Sequence, residues 1–270
     1  MRKNIRLKRF FLLFSLTSIF ALSALTISLV AIRQAHNEVL HIEDHQHKAL
    51  NLVSELHYET LKLKQFVRTY VNTGEFRYLN YYFDILDIRQ GVKPTPMNYH
   101  LAGYWEKVLI GAIAHQLPRH ATPNSIQYQM GLQGFTDAEL SAYNDFLAIS
   151  QGMQVIEKIA FAATQGLYDV KHQTFISEGK PDLNYAKNII HDQPYNQLTA
   201  QLEDAINNLN NKVTERTQHT INQATSKLDF YIYLTLSIIA LNLLWTFLPY
   251  IKCLNTCLSP LPIYPLSLPS

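Results

Sequence analysis

Two stretches of the chain, residues 10–32 and 230–251, contain no charged side chain, and they constrain the fold more than any other feature. At about 1.5 Å of rise per residue, each is long enough as a helix to cross a hydrocarbon core of roughly 30 Å. The only polar members of the first are Ser and Thr. Ala21-Leu22-Ser23 could serve as a signal-peptide cleavage site, but the apolar run continues well past it, so an uncleaved anchor is expected. The second stretch carries Tyr231 and Tyr233 at one end and Trp245 and Tyr250 toward the other. That placement suits aromatic rings at the two faces of a bilayer. Asn242 is its one strongly polar side chain, readable as a tolerated amide or as an interhelical hydrogen bond in a dimer. Pro249 is expected to kink the exit of this helix.

The charges give the stretches a direction. All 21 acidic residues and 17 of the 23 basic ones lie between Arg33 and Asp229, so the middle is net −4. Arg2, Lys3, Arg6, Lys8 and Arg9 precede the first stretch, and Lys252 alone follows Asp229. Positive charge stays on the cytoplasmic side of a membrane. The expected topology is two-pass in a bacterial inner membrane, with both termini cytoplasmic and residues 33–229 periplasmic. Cys253 and Cys257 both follow the second stretch, which leaves the outer segment free of disulfides, and no Asn-x-Ser/Thr sequon is present. An acidic middle excludes a nucleic-acid binder with a basic face. The expected parts are a basic tail (1–9), a first span (10–32), an outer domain (33–229), a second span (230–251) and a short Pro-rich cytoplasmic tail (252–270).

The outer segment reads as helical. Ile42, Ala49, Leu56, Leu63 and Tyr70 recur every seven residues, flanked by Leu52, Val53, Phe66 and Val67, and nothing interrupts them before Thr73-Gly74. Leu202, Ile206, Leu209, Val213 and Thr220 form a matching stripe that runs through Ala224 into the second span. Between them, residues 75–90 read as a short aromatic-rich helix. Residues 137–169 read as a third long one, opened by a capping box of Thr136 and Glu139. Residues 91–134 hold four prolines and five glycines and are expected to form an irregular cap with a short helix near 102–114. Residues 172–181 read as a turn, and no alternating run argues for a sheet. The expected fold is all-α: an elongated antiparallel helical bundle between two transmembrane helices, with an irregular cap.

No Gly-rich phosphate loop, zinc-type Cys/His spacing or Gly-x-Ser-x-Gly elbow is present, so neither enzymatic activity nor a cofactor is expected. Two groupings could bind something. Glu38, His41 and His45 lie in a dense titratable run outside the first span, where His41 and His45 at i,i+4 could hold a divalent metal or sense pH. The alternative is a solvated helix face. Arg68, Tyr81, Tyr82, Asp87, Arg89, Tyr104 and Trp105, with Tyr78 and Tyr99, could hold a small anionic or aromatic ligand beneath the cap. The alternative is that they join cap to bundle by packing and hydrogen bonding. Cys253 and Cys257, a lone pair at i,i+4, are expected to be reduced thiols.

Several segments together resemble a family. Arg68-Thr69-Tyr70-Val71-Asn72-Thr73-Gly74, Tyr78 with Tyr81-Tyr82, Ile85-Leu86-Asp87-Ile88-Arg89-Gln90-Gly91, Lys93-Pro94 and Tyr104-Trp105 are similar to the sensor region of bacterial membrane-bound, often hybrid, sensor histidine kinases. Gly134-Phe135-Thr136 with Glu139, Gly179-Lys180-Pro181-Asp182, His191-Asp192 and Tyr195 continue the resemblance over most of residues 35–228. It implies an extracytoplasmic helical sensor, a homodimer and a phosphorelay output. The chain departs from the pattern after Ile251, where 19 residues follow, four of them proline. Leu258-Ser259-Pro260-Leu261 is similar to the start of a HAMP helix, but no phosphoacceptor histidine or nucleotide site can be carried over. The expectation is a sensor module without its own kinase core, either a truncated or frameshifted receptor or one acting through a separate kinase. The alternative is a structural or adaptor membrane protein that regulates a partner in the envelope.

Overall fold

The computed structural model describes residues 2–100, 103–119 and 121–257, with side chains described between Leu12 and Phe247. The Pro-rich end of the tail, residues 258–270, lies outside the described residues. Helix α1 (Arg2–Thr73) is one uninterrupted helix of 72 residues without a proline or glycine. It stops at Gly74, whose φ of 71° lets its N–H reach the carbonyl of Tyr70 at 2.7 Å. Helix α2 (Phe76–Gln90) follows at once and ends on Gly91, at φ 73°. A Cβ on Gly91 would lie 2.6 Å from the backbone nitrogen of Ser125, so this glycine lets the end of α2 meet the Asn124–Ser125 backbone.

The expected irregular cap contains two short helices. Helix α3 (Tyr104–Leu109) lies inside the span expected near 102–114 and is shorter. Helix α4 (Ile126–Leu132) was not expected; it is capped by Ser125, whose Oγ accepts from the N–H of Tyr128 at 3.1 Å.

Helix α5 (Asp137–Gln165) opens on the expected capping box. Glu139 N–H donates to Thr136 Oγ1 at 3.3 Å, and Thr136 N–H donates to Glu139 Oε2 at 2.7 Å. The helix closes four residues before the expected Asp169, because Gly166 adopts φ 75° and the N–H of Leu167 turns back to the carbonyl of Ala162 at 2.7 Å. Tyr168–Asp169 (β1) then pairs antiparallel with Thr174–Phe175 (β2). Two residues a strand are too few to show an alternating pattern, which is why this ladder was illegible in the sequence. Helix α6 (Leu183–Ile189) and helix α7 (Gln193–Cys257) complete the chain. Pro194 sits in the first turn of α7, where a missing N–H costs nothing, and the helix continues past Pro249.

The chain divides into two compact units, one of residues up to Ile42 with those from Thr220 onward, and one of Glu43–His219. In the first unit, α1 and α7 each contain a helix long and apolar enough to cross a membrane. Their most apolar windows are only 6% buried, with Leu16, Phe20, Ile27, Leu241 and Leu244 presented outward. Apolar side chains facing outward over such lengths suit a lipid surround. The two helices are antiparallel and in register: Trp245 Nε1 donates to Thr17 Oγ1 at 3.2 Å, the Ser28 and Thr235 hydroxyls bond each other, and Lys227 Nζ meets Glu38 Oε2 at 2.7 Å. Asn242 donates to the carbonyl of Ile238 in its own helix at 2.8 Å.

The second unit is all-α but for the β1–β2 pair. Its core joins α1, α2, α5 and α7 through Leu56, Phe66, Tyr70, Ile85, Phe146, Ile206 and Leu209, all at most 1% exposed except Ile206 at 2%. Tyr70 packs edge-on against Phe161 with ring centres 5.4 Å apart, and Tyr82 meets the same ring at 5.1 Å. Each pair of this kind adds about 1 kcal/mol beyond area burial. Glu203 ties α7 to α1 by accepting from Lys64, with His57 Nε2 at 3.1 Å.

Candidate functional site

The residues that suggested a ligand site separate into distinct surroundings. Tyr81, Tyr104 and Trp105 come together, with Tyr81 and Tyr104 each 5.3 Å from Trp105 in ring centres and Phe66 edge-on beneath at 5.2 Å. Trp105 is 1% exposed and packs α3 onto α1 and α2, leaving no opening over its ring. Tyr78 also contacts Phe66, at 6.2 Å. A polar chain borders this cluster: Tyr104 Oη bonds His115 Nδ1 at 2.8 Å, His115 Nε2 meets Asp84 at 3.2 Å, and Lys93 bridges Asp84 and Asp87 at 2.7 Å each. Burial raises the Tyr104 hydroxyl to about 12. Asp87 is linked to the aromatic group through Lys93, Asp84 and His115. Arg68 is exposed on α1, and its charge acts on the Tyr195 hydroxyl of α7.

Tyr82 and Arg89 instead serve two carboxylates buried in the bundle, Glu157 and Glu59, at 4% and 3% exposure. Tyr82 donates to Glu157 Oε2 and Tyr195 to Glu157 Oε1 at 2.9 Å, so one carboxylate of α5 joins α2 and α7. Arg89 Nε donates to Glu59 Oε2 at 2.9 Å, Tyr99 Oη donates to Glu59 Oε1 at 2.7 Å, and Arg89 Nη2 reaches Thr60 Oγ1 at 3.4 Å. The guanidinium also lies over the Phe146 ring, 5.6 Å from its centre. Burial pushes both carboxyls above the ordinary range; Arg89 and Tyr99 oppose this at Glu59, and the two tyrosines oppose it at Glu157. A third buried carboxylate, Glu139, accepts from Arg216 Nε at 2.8 Å besides closing its capping box.

Glu59 and Glu157 were missed from the sequence, yet each interrupts an apolar stripe. Glu59 and Thr60 stand where the stripe of Leu52, Leu56, Leu63 and Phe66 calls for apolar residues. Ser150, Glu157 and Thr164 recur every seven residues on the buried face of α5. Polar residues at core positions of a heptad were the available signal.

Two of the cavities in this unit border the residues singled out above. One of about 330 Å3 is lined by Arg89 and Gln90 from α2, Gln127 from α4, and Tyr143, Gln151 and Gln154 from α5. The other, about 550 Å3, lies between α1 and the segment before α4 and is lined by Asn51, Glu55, His100, Asn124 and Gln129 among others. His100 Nδ1 meets both oxygens of Glu55 at 2.7 Å, and that bond raises the imidazole above its usual range.

The second grouping, Glu38, His41 and His45, lies on α1, with Glu38 bonded to Lys227 at 2.7 Å. Among the described residues, no set of three or more His, Cys, Asp or Glu side chains is placed to hold a metal ion. Cys253 and Cys257 lie on the last turns of α7. No family model, curated protein or solved structure matches the chain.

Proposed function

We propose that the chain is the membrane-anchored sensing module of a bacterial signal-transduction receptor of the sensor-histidine-kinase kind. It detects an extracytoplasmic signal, transmits it through its paired membrane helices and hands it to an output domain. The supporting observation is continuity: α1 and α7 each run unbroken from an apolar stretch into the bundle that holds the buried carboxylates and the cavities. α1 contains no Pro or Gly and α7 none between Tyr195 and Leu248, so over these lengths neither has a built-in hinge and a shift at one end is carried along rather than absorbed. Packed helices hold a few discrete arrangements and exchange them by small translations or rotations. The five basic residues before Phe10 support a cytoplasmic N-terminus in the inner membrane, with residues 33–229 in the periplasm; a homodimer as the working unit is what the resemblance to sensor kinases implies.

Fusing residues 1–252 to a histidine-kinase core and measuring autophosphorylation in vesicles tests the reading. Phosphorylation that changes with conditions outside the vesicle is expected, and constant phosphorylation under every condition refutes it. Alkaline phosphatase fused after residue 119 should be active and fused after residue 257 inactive; the reverse pattern overturns the orientation.

A further inference from the structure

The cavity beside Arg89 contains a donor without an acceptor. Of the guanidinium nitrogens, Nε is matched by Glu59 and Nη2 by Thr60, while among the described residues Nη1 has no hydrogen-bond acceptor. Nη1 is not sealed inside the protein either: it is absent from the fully buried polar atoms without a partner, which include Trp105 Nε1 and Gln133 Oε1. Arg89 as a whole is only 4% exposed, and it lines the cavity of about 330 Å3. The geometry therefore leaves Nη1 as the nitrogen facing that space. The remaining walls are four glutamine amides, two serine hydroxyls, the Tyr143 hydroxyl and two leucines, with no carboxylate among them. Such a lining combines an apolar wall with convergent polar groups, at a volume near the small end of ligand pockets, roughly 300–1,000 Å3.

We propose that this cavity binds a small monocarboxylate, its oxygens taken by the guanidinium of Arg89 and its polar remainder by the surrounding amides. The charge balance selects a single carboxylate. Glu59 already neutralises Arg89, so a monoanion leaves the buried site at one net negative charge, whereas a phosphate dianion leaves it at two in a poorly solvated setting. A guanidinium recognises a carboxylate through a planar fork, and Nη1 with the outer N–H of Nη2 supplies one. The inference supplies a ligand class to the sensor reading and rests on that reading only for its purpose, not for the binding itself.

The test uses the full chain in detergent micelles, with calorimetric titration and thermal shift against sodium acetate, sodium lactate, inorganic phosphate and glycerol. Saturable binding of acetate or lactate, with phosphate and glycerol inert, is expected. Glu59→Gln removes the competing charge while keeping an acceptor for Nε, and it should tighten carboxylate binding by about tenfold or more. Arg89→Met, made on the Glu59→Gln background so that no carboxylate is stranded, should abolish it. No saturable carboxylate binding, phosphate bound more tightly than either carboxylate, or Glu59→Gln leaving affinity unchanged or weaker would each overturn the proposal. In the kinase fusion, phosphorylation that stays constant under every condition, saturating carboxylate included, refutes the sensor reading and leaves the site standing. A fusion that responds to other stimuli, in a chain that shows no saturable carboxylate binding, overturns the site and leaves the sensor reading standing.

Discussion

Removing the hydroxyls that hold Glu157 should reveal a carboxyl that can escape by taking up a proton. Glu157 is 4% exposed, and its two oxygens accept from Tyr82 and Tyr195. A hydrogen bond to a charged group contributes about 1.5–3 kcal/mol. Tyr195→Phe should fall at the upper end, near 3 kcal/mol, because the lost donor has no replacement. Tyr82→Phe should be milder, since a void of about 10 Å3 already borders Tyr82 and Glu157. With the hydroxyl gone, that void has room for a water that can donate in its place. In a unit of roughly 150–250 residues each kcal/mol is worth about 2–4 °C in Tm, so the single variants should melt several degrees below the parent.

The double variant is the informative one. Burial raises the Glu157 carboxyl, and the tyrosines hold it down against that tendency. With both removed, protonation becomes the cheaper state, and the double loss should fall short of the sum by about 1 kcal/mol or more. The pH dependence follows. A carboxyl whose folded pKa lies above its unfolded value contributes stability that is fully present below the unfolded pKa and lost as pH rises through the folded one. Removing the tyrosines moves the folded pKa further up, so the variants should be penalised most near pH 8 and least near pH 5. The nearby charge is Lys64, which also favours the ionised form. Thermal unfolding of the full chain in detergent, followed by circular dichroism from about pH 5 to 8, measures all of this. Strict additivity with a Tm difference flat across that range would refute the reasoning.

Other outcomes follow from single contacts. Gly91→Ala places a Cβ 2.6 Å from Ser125 N at a φ of 73°, and should lower Tm by several degrees while loosening protease protection around Ser125. Leu209→Ala, at a fully buried position, should cost about 2–5 kcal/mol, read as the loss in Tm. Glu139→Ala removes both the capping box of α5 and the acceptor for Arg216, and should cost about 1–3 kcal/mol with amide exchange rising first in the opening turn of α5.

The long helices were legible because each carries about six to eight turns of one period, and a stop such as Thr73-Gly74 is chemically plain. The apolar stretches were legible for the same reason: charge is absent over a length set by the bilayer. The short elements were not. Helix α4 depends on Ser125 as a cap and on Gly91 as a landing place, two residues 34 positions apart whose meeting no local pattern announces. The aromatic residues illustrate a different limit. Tyr81, Tyr104 and Trp105 have the composition of a ligand cage, yet the same rings fill space when a short helix lays them over Phe66. Arg89 was singled out for its charge, but its meaning came from Glu59, which a reading by apolar period passes over because it looks like an error in the stripe.

The ties between the two membrane helices have a consequence for how such a chain can change over generations. Thr17 faces Trp245, Ser28 faces Thr235 and Glu38 faces Lys227, at nearly matched spacing from opposite ends. Inserting a residue between Thr17 and Glu38 turns everything beyond it by about 100° and displaces it by about 1.5 Å. At least one tie is then lost unless the opposing stretch gains a residue too. Length in one helix is thereby answerable to length in the other, and insertions and deletions here should be found only as matched pairs.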